Sequence, residues 1–328
     1  MARQRPAGWW RMPQALIFGI TGYAGSALAR HLVNRGWSVR GIGRSESAAD
    51  DLETLGVEVE IADVGEPEEL EGLGRPGDHV FYLVGSISGH PDWTERVGLD
   101  GVVNTEAALA DAGIASFVLV QTLAVYGRGS DETITEDTPT QPNSQLGRIS
   151  LLAQRHLREA LAQRGFPARF VRAGTIYGPG RRTVEALRNK RLRMLGGGEN
   201  LSSRIHVDDL ATVLAAVAER GRSGEVYLAV DDQPVSMADY FDHLAERADV
   251  PTPGSTPKWL ARAMIGGFGL TSKLTKGHAP LGHNLYALVT GNYGCSNAKI
   301  RDGLGVELAY PSYVEGVDSL LADEGEDD

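Results

Sequence analysis

A chain of 328 residues with 43 acidic and 32 basic side chains carries a formal net charge of −11, which excludes the clustered positive charge that a nucleic-acid partner requires. A hydrophobic content of 42% with 41 glycines suits a packed α/β protein, and a lone cysteine, Cys295, excludes both a disulfide framework and a thiolate metal cage. No apolar run reaches the length of a membrane span, so the expected setting is cytoplasmic, with no membrane partner.

The first half alternates short apolar runs with helical patterns, as successive βαβ units do. Strands are predicted at Ala15–Phe18, Val39–Ile42, Val57–Ile61, Val80–Val84, Phe117–Gln121 and Ala168–Val171. Helices are predicted at Ser26–Asn34, Glu46–Leu55, Gly101–Ala112 and Ile149–Arg164. This order describes α/β architecture, a doubly wound parallel Rossmann sheet with a smaller C-terminal lobe. A basic helix is expected at Thr183–Arg193, a further helix at Asp208–Glu219 and a returning strand at Val226–Val230. The expected division is a dinucleotide-binding domain over 12–180 and a substrate lobe over 181–321, with about 204–231 rejoining the sheet. Residues 1–11 and 322–328 are expected to be flexible ends.

Gly19-Ile-Thr21-Gly22-Tyr23-Ala24-Gly25 follows the first strand and opens a helix. A pyrophosphate needs this combination: a tight turn, backbone that it can approach, and a positive helix end. Where the second strand ends, a carboxylate would hold the ribose 2′-hydroxyl of NAD. This chain offers Gly43, Arg44 and Ser45 instead. Arginine suits the 2′-phosphate, so NADP is the expected cofactor, with NAD left open. Asp63, after the third strand, is a candidate for the adenine.

The chain resembles the extended short-chain dehydrogenases/reductases of the NAD(P)-dependent epimerase/dehydratase group, in their atypical branch. The resemblance rests on the glycine loop and on four further segments. These are Asp78-His-Val-Phe-Tyr-Leu83, Thr122-Leu-Ala-Val-Tyr126-Gly127, Arg172-Ala-Gly-Thr-Ile-Tyr177-Gly178-Pro179-Gly180 and Arg204-Ile-His206-Val-Asp208-Asp209-Leu-Ala211. It implies that Val84, Gly85, Thr122, Ala173 and Ile176 lie along the cofactor. It also implies that Tyr126, Tyr177, Arg181 and Arg204 border a small-molecule substrate, polar and sugar-like or specialised.

The same resemblance implies a catalytic tyrosine, with a lysine four positions later that lowers its pKa, a hydroxyl residue and an asparagine. Thr122 fits the hydroxyl. The tyrosine position holds Leu146, the lysine position Ser150, and the asparagine position Gly98, with Asp100 nearby. Leucine exchanges no proton and serine carries no charge, so the usual pair is missing. Ser86, His90 and Asp100 are candidate substitutes. His206 with Asp208 and Asp209 reads as a braced helix start and not as a metal site. The expected function is an NAD(P)-binding, epimerase/dehydratase-like oxidoreductase. A non-redox isomerase, lyase or cyclase, or a cofactor-bound sensor, are the alternatives, and a homodimer is left open.

Overall fold

The computed structural model describes residues 12–44, 50–85, 91–263 and 283–322. Seven strands, all paired in parallel, build the central sheet. They are β1 (Gln14–Phe18), β2 (Ser38–Gly43), β3 (Glu58–Ile61), β4 (Asp78–Tyr82), β5 (Ser116–Thr122), β6 (Ala168–Ala173) and β7 (Val226–Ala229). Their spatial order is β7-β6-β5-β4-β1-β2-β3, so the winding reverses between β1 and β4. In such sheets the crevice outside the carboxyl ends of the strands at that reversal is where ligands bind.

Successive side chains of a strand face opposite sides, and both sides are covered here. Ala15 and Ile17 of β1 pack with Leu28 and Leu32 of helix α1 (Tyr23–Asn34), and that core continues to Val213, Leu214 and Val217. Leu16 and Phe18 face the other way, toward Val102 and Leu109 of helix α2 (Gly101–Leu109) and Ala153 and Leu157 of helix α3 (Gln145–Arg164). Coverage of both faces explains why β1, β4 and β5 read as unbroken apolar runs. Val213, Leu214 and Val217 belong to helix α4 (Val207–Arg220), which lies beside α1 and leads into β7.

A separate apolar cluster forms the smaller lobe. Tyr177, Val184, Leu187, Tyr240, Leu244, Val317 and Leu320 meet there, carried largely by Thr183–Arg188, Met237–Arg247 and Tyr313–Ala322. A short parallel pairing of Thr175–Tyr177 with Arg204–His206 joins this lobe to the end of the main sheet.

Several boundaries differ from the sequence expectation, each for a local reason. The helix expected from Gly101 begins at Pro91, because Arg96–Asp100 forms a π-turn that shifts the apolar register. That turn leaves the Val97 carbonyl to accept the Tyr82 hydroxyl at 2.6 Å. Helix α3 starts at Gln145 and not at Ile149, because the Ser144 side chain caps it from the Gly147 N–H. The basic helix stops at Arg188, and Lys190 turns the chain with φ +54°. Within the expected second helix, Asp50–Glu53 is helical, and 45–49 lie outside the described residues. Of the expected ends, Ala322 closes a helix, while 1–11 and 323–328 also lie outside. Among the described residues no helix is long and apolar enough to cross a membrane.

One buried ion pair ties the sheet together across β1. Arg40 of β2 meets Asp78 of β4 at 2.6 Å and also donates to the Leu73 carbonyl at 2.9 Å. The Arg75 N–H donates to the same carboxylate at 2.8 Å. Burial pushes the Asp78 carboxyl above its ordinary range. Asp78→Ala leaves the buried guanidinium with only the partly exposed Glu60 carboxylate at 4.0 Å, and the expected cost is about 3 kcal/mol of unfolding free energy. Urea titration of the two proteins measures it; a loss below about 1 kcal/mol would show that the pair is dispensable.

Candidate functional site

A cavity of about 490 Å³ opens at the winding reversal. Gly19, Gly22, Tyr23, Ala24 and Gly25 form one part of its wall, and Val84 and Gly85 follow from β4. Gly19 adopts φ +83°, and its N–H donates to the Ile42 carbonyl at 3.0 Å, which clamps the loop onto β2. Gly25 packs so closely beneath it that an added Cβ would stand 2.2 Å from the Gly19 oxygen. Gly22 caps α1 without a side-chain bond, and the first turn of α1 carries no acid. The first N–H groups of a helix have no intrahelical partner and sit at its positive end. A Cβ at Gly85 would meet nothing within 4 Å, so the backbone there borders open space. These features fit a dinucleotide pyrophosphate.

The opposite wall comes from β5, α3 and the π-turn. Thr122, Leu146, Ser150 and Gly98 all line the cavity. The four residues that the sequence reading set at the catalytic positions therefore lie on one wall. The Thr122 side chain also accepts from the Ala124 N–H at 3.2 Å, which fixes its rotamer at the start of the short helix Leu123–Tyr126. The described lining contains no carboxylate, histidine or lysine. Tyr82 lines it too, but its hydroxyl is spent on Val97 and burial pushes its pKa up. Arg181 lies over the Tyr23 ring at 4.3 Å, at the glycine-loop end.

Sequence reasoning missed Gln121. Its Nε2 donates to the Ser150 carbonyl at 2.8 Å and to the Ser150 hydroxyl at 3.2 Å. Its Oε1 is buried without a partner among the described residues. Gln121 therefore stands against Ser150 and presents an acceptor that a ligand hydroxyl or amide can satisfy. The available signal was a polar residue closing the apolar run Phe117–Val120, directly before Thr122.

Other expected residues sit elsewhere. Thr21 lies against Gly43, where a Cβ would come within 2.9 Å of its methyl group; a carboxylate at position 43 has no room unless Thr21 moves. Arg44 is exposed and stacks on Trp93 at 4.5 Å. Asp63 accepts the Gly65 N–H at 2.8 Å and pairs with Arg96 at 3.2 Å, as a turn residue does. Ala173 is buried at the end of β6, and Ile176 reaches the cavity. Asp100 is exposed and does not line the cavity. Ser45, Ser86 and His90 lie outside the described residues.

Three residues expected at the substrate face inward instead. The Tyr126 hydroxyl accepts from Arg172 at 2.6 Å and donates to the Thr135 carbonyl at 3.1 Å, inside a small apolar cluster. Arg204 is buried, with its guanidinium 3.5 Å from the Tyr240 ring centre, and the Tyr177 hydroxyl points to Asp231 at 3.5 Å. Tyr177 and Arg204 lie on the paired segments Thr175–Tyr177 and Arg204–His206, in the seam between the sheet and the smaller lobe. His206 belongs to the same seam: it faces Ser319 at 2.9 Å, stacks on Tyr310 at 3.7 Å and accepts the Asp208 N–H. Asp209 takes the N–H groups of Ala309 and Tyr310 at 2.7 and 2.8 Å, pinning the C-terminal segment. Both residues are thus committed to packing.

A sequence profile of the NAD-dependent epimerase/dehydratase family matches residues 15–229. A 4-hydroxy-2-methyl-3-oxo-4-farnesyl-3,4-dihydroquinoline-1-oxide ketoreductase of Stigmatella aurantiaca is 30% identical over 76% of this chain and 78% of that protein. A 3-diazoavenalumate denitrifying reductase of a Streptomyces species is 25% identical over 93% of this chain and 99% of its own. The dTDP-glucose 4,6-dehydratase of Bacillus anthracis, solved with NAD, superimposes with a TM-score of 0.76 at 16% identity, covering 96% of this chain and 97% of that one. At that identity the likeness is one of fold.

The seam holds two titratable groups shifted in opposite directions. Burial pushes the Asp231 carboxyl up to about 7 from an ordinary 3.8, and pulls the His206 imidazole down to about 4 from 6.5. Between about pH 4 and 6.5 the folded state holds a proton on Asp231 and none on His206, and the unfolded state the reverse. Their contributions to the pH slope therefore cancel. In Asp231→Asn, stability is expected to rise with pH across that window, by at most about 1.4 kcal/mol per unit. In His206→Gln it is expected to fall with pH from about 4 to 7. Thermal or urea unfolding at several pH values checks both signs, and parallel curves for the two variants would refute the assignment.

Proposed function

The chain belongs to the NAD-dependent epimerase/dehydratase family of extended short-chain dehydrogenases/reductases, and we propose that it is an NADPH-dependent oxidoreductase working without the family's tyrosine–lysine proton relay. One observation carries this reading. Thr122, Leu146, Ser150 and Gly98 converge on the cavity whose other wall is the glycine loop. The reductase names of two relatives support the redox class.

The nicotinamide cofactor supplies a hydride donor or acceptor. The rest is the work of the chain. Backbone N–H groups of the glycine loop and the start of α1 hold the pyrophosphate. Arg44 meets the adenosine 2′-phosphate with a charge-assisted bond, and its stacking on Trp93 limits the side-chain freedom lost on binding. The Gln121–Ser150 pair takes over the ribose-holding half of the absent lysine's role, through the unsatisfied Gln121 Oε1. It cannot take over the other half, since neither side chain carries a charge to lower a neighbour's pKa. The Thr122 hydroxyl orients the substrate's polar atom. Leu146 offers no proton, so the reacting group draws its proton from water or from the substrate itself. The substrate is a small polar metabolite.

Arg44→Ala is expected to weaken NADPH binding by roughly 1–3 kcal/mol while leaving NADH nearly unchanged. Fluorescence titration of both cofactors decides it, and equal affinities in the wild type would overturn the NADPH preference.

The double variant Leu146→Tyr, Ser150→Lys restores a proton donor and its charge one helical turn apart on α3. Reduction of simple ketones, followed by NADPH absorbance, is expected to rise about 100-fold or more over the wild type, the lower range for general acid–base catalysis. Wild-type ketone reduction at the double variant's rate would refute the missing-relay reading. Product formed with no absorbance change, and with no transfer of deuterium to or from 4-deuterated cofactor or within the substrate, would identify a non-redox isomerase, lyase or cyclase. Cofactor binding with no product from a broad metabolite panel would identify a sensor.

A further inference from the structure

A second cavity, about 520 Å³, lies beside the first. Arg128, Asn143, Lys258, Arg262, Tyr286 and Thr290 line it, and no carboxylate is found on its described wall. In a chain with 43 acids against 32 bases, three cations converging on one concavity with no acid among them is not an average surface. None of the three makes an ion pair with a described residue. Other exposed arginines divide between paired ones, as Arg247 is with Asp318 and Arg35 with Glu219, and ones with no ion pair to a described residue, as Arg148 and Arg155.

Each cation is set by its backbone. Arg128 follows Gly127, whose φ of +67° and approach to Gln141 leave no space for a Cβ. The Arg128 carbonyl accepts the Asn292 N–H at 2.9 Å, which ties it to the segment after the helix His283–Thr290. That helix carries Tyr286 and Thr290. Lys258 and Arg262 stand four residues apart in the helical segment 258–263, so they share a face, while Ala261 is buried.

The two cavities meet at the first turn of α3. Asn143 lines one and Leu146 the other, and the Leu146 N–H donates to Asn284 of the helix His283–Thr290 at 3.2 Å. That first turn contains no acid. The positive end of a 20-residue helix therefore adds to the three cations.

We propose that this second cavity binds an anionic group, a phosphate monoester or a carboxylate, belonging to the molecule that reacts in the first cavity. The proposal rests on reading the first cavity as the cofactor site. Arg128, Lys258 and Arg262 supply the counter-charge, and the Asn143 amide and the Tyr286 hydroxyl supply hydrogen bonds, while the Thr290 hydroxyl is spent on the Tyr286 carbonyl at 2.7 Å. Binding the anion there sets the distance at which the substrate's reactive carbon enters past Leu146.

The test titrates NADPH-saturated protein with inorganic phosphate and, separately, with acetate, by calorimetry at two salt concentrations. Saturation with NADPH keeps either anion out of the pyrophosphate position. Binding of at least one anion is expected, weakening with salt and falling at least tenfold in the variant Arg128→Gln, Lys258→Gln, Arg262→Gln. Tighter phosphate binding assigns a phosphate monoester, and tighter acetate binding a carboxylate. The NADPH affinity of the triple variant is expected to match the wild type, which also reports that it is folded. Each single variant, expected to lose roughly threefold, repeats the test should the triple variant lose its fold. No binding of either anion, or binding unchanged by the substitutions, overturns the proposal. A wild type that binds phosphate but not NADPH would instead overturn the reading of the first cavity.

Discussion

The close approach of α1 to the loop that precedes it governs the upper end of this molecule. No Cβ fits at Gly25, because the Gly19 oxygen occupies that space, and Gly19 itself turns with a positive φ that side chains rarely adopt. Only this pair of glycines lets the helix begin directly beneath the loop. The positive end of α1 then faces the crevice between β1 and β4. Everything else at the site is arranged around that fixed point: Val84 and Gly85 leave β4 beside it, and β5 delivers Gln121 and Thr122 across from it.

The opposite wall has kept the scaffold and exchanged the chemistry. α3 brings residues 146 and 150 to the cavity on one face, as a helix with a catalytic pair there would, but the side chains are apolar and neutral. Gln121 bonds Ser150 twice from the strand side. Thr122 lies in a wall that has no carboxylate, histidine or lysine among the described residues.

Aromatic and charged residues of the family signatures divide between two duties. Arg181 lines the cavity, whereas Tyr126, Tyr177 and Arg204 are buried away from it. Buried polar groups persist only with partners. Arg172 serves Tyr126, and Tyr240 and Met237 serve Arg204. The seam between the sheet and the smaller lobe is consequently rich in polar side chains. Asp231 and His206 are both held neutral there at mildly acidic pH.

The linear order of residues determined the alternation of strands and helices, the glycine loop, the Arg44 position and the absence of tyrosine and lysine from α3. All of these are local: they depend on strand and helix periods and on spacings of a few residues, which backbone geometry enforces wherever the segment lies. Tertiary structure alone decided which way Tyr126, Tyr177 and Arg204 turn, because motif spacing places a backbone but not the partner that claims a side chain. It alone brought Gln121 to Ser150, two residues on different elements that meet only when α3 packs on β5. It alone brought Arg128 to Lys258 and Arg262, two segments far apart in the chain that line one cavity. No period along the chain encodes that convergence.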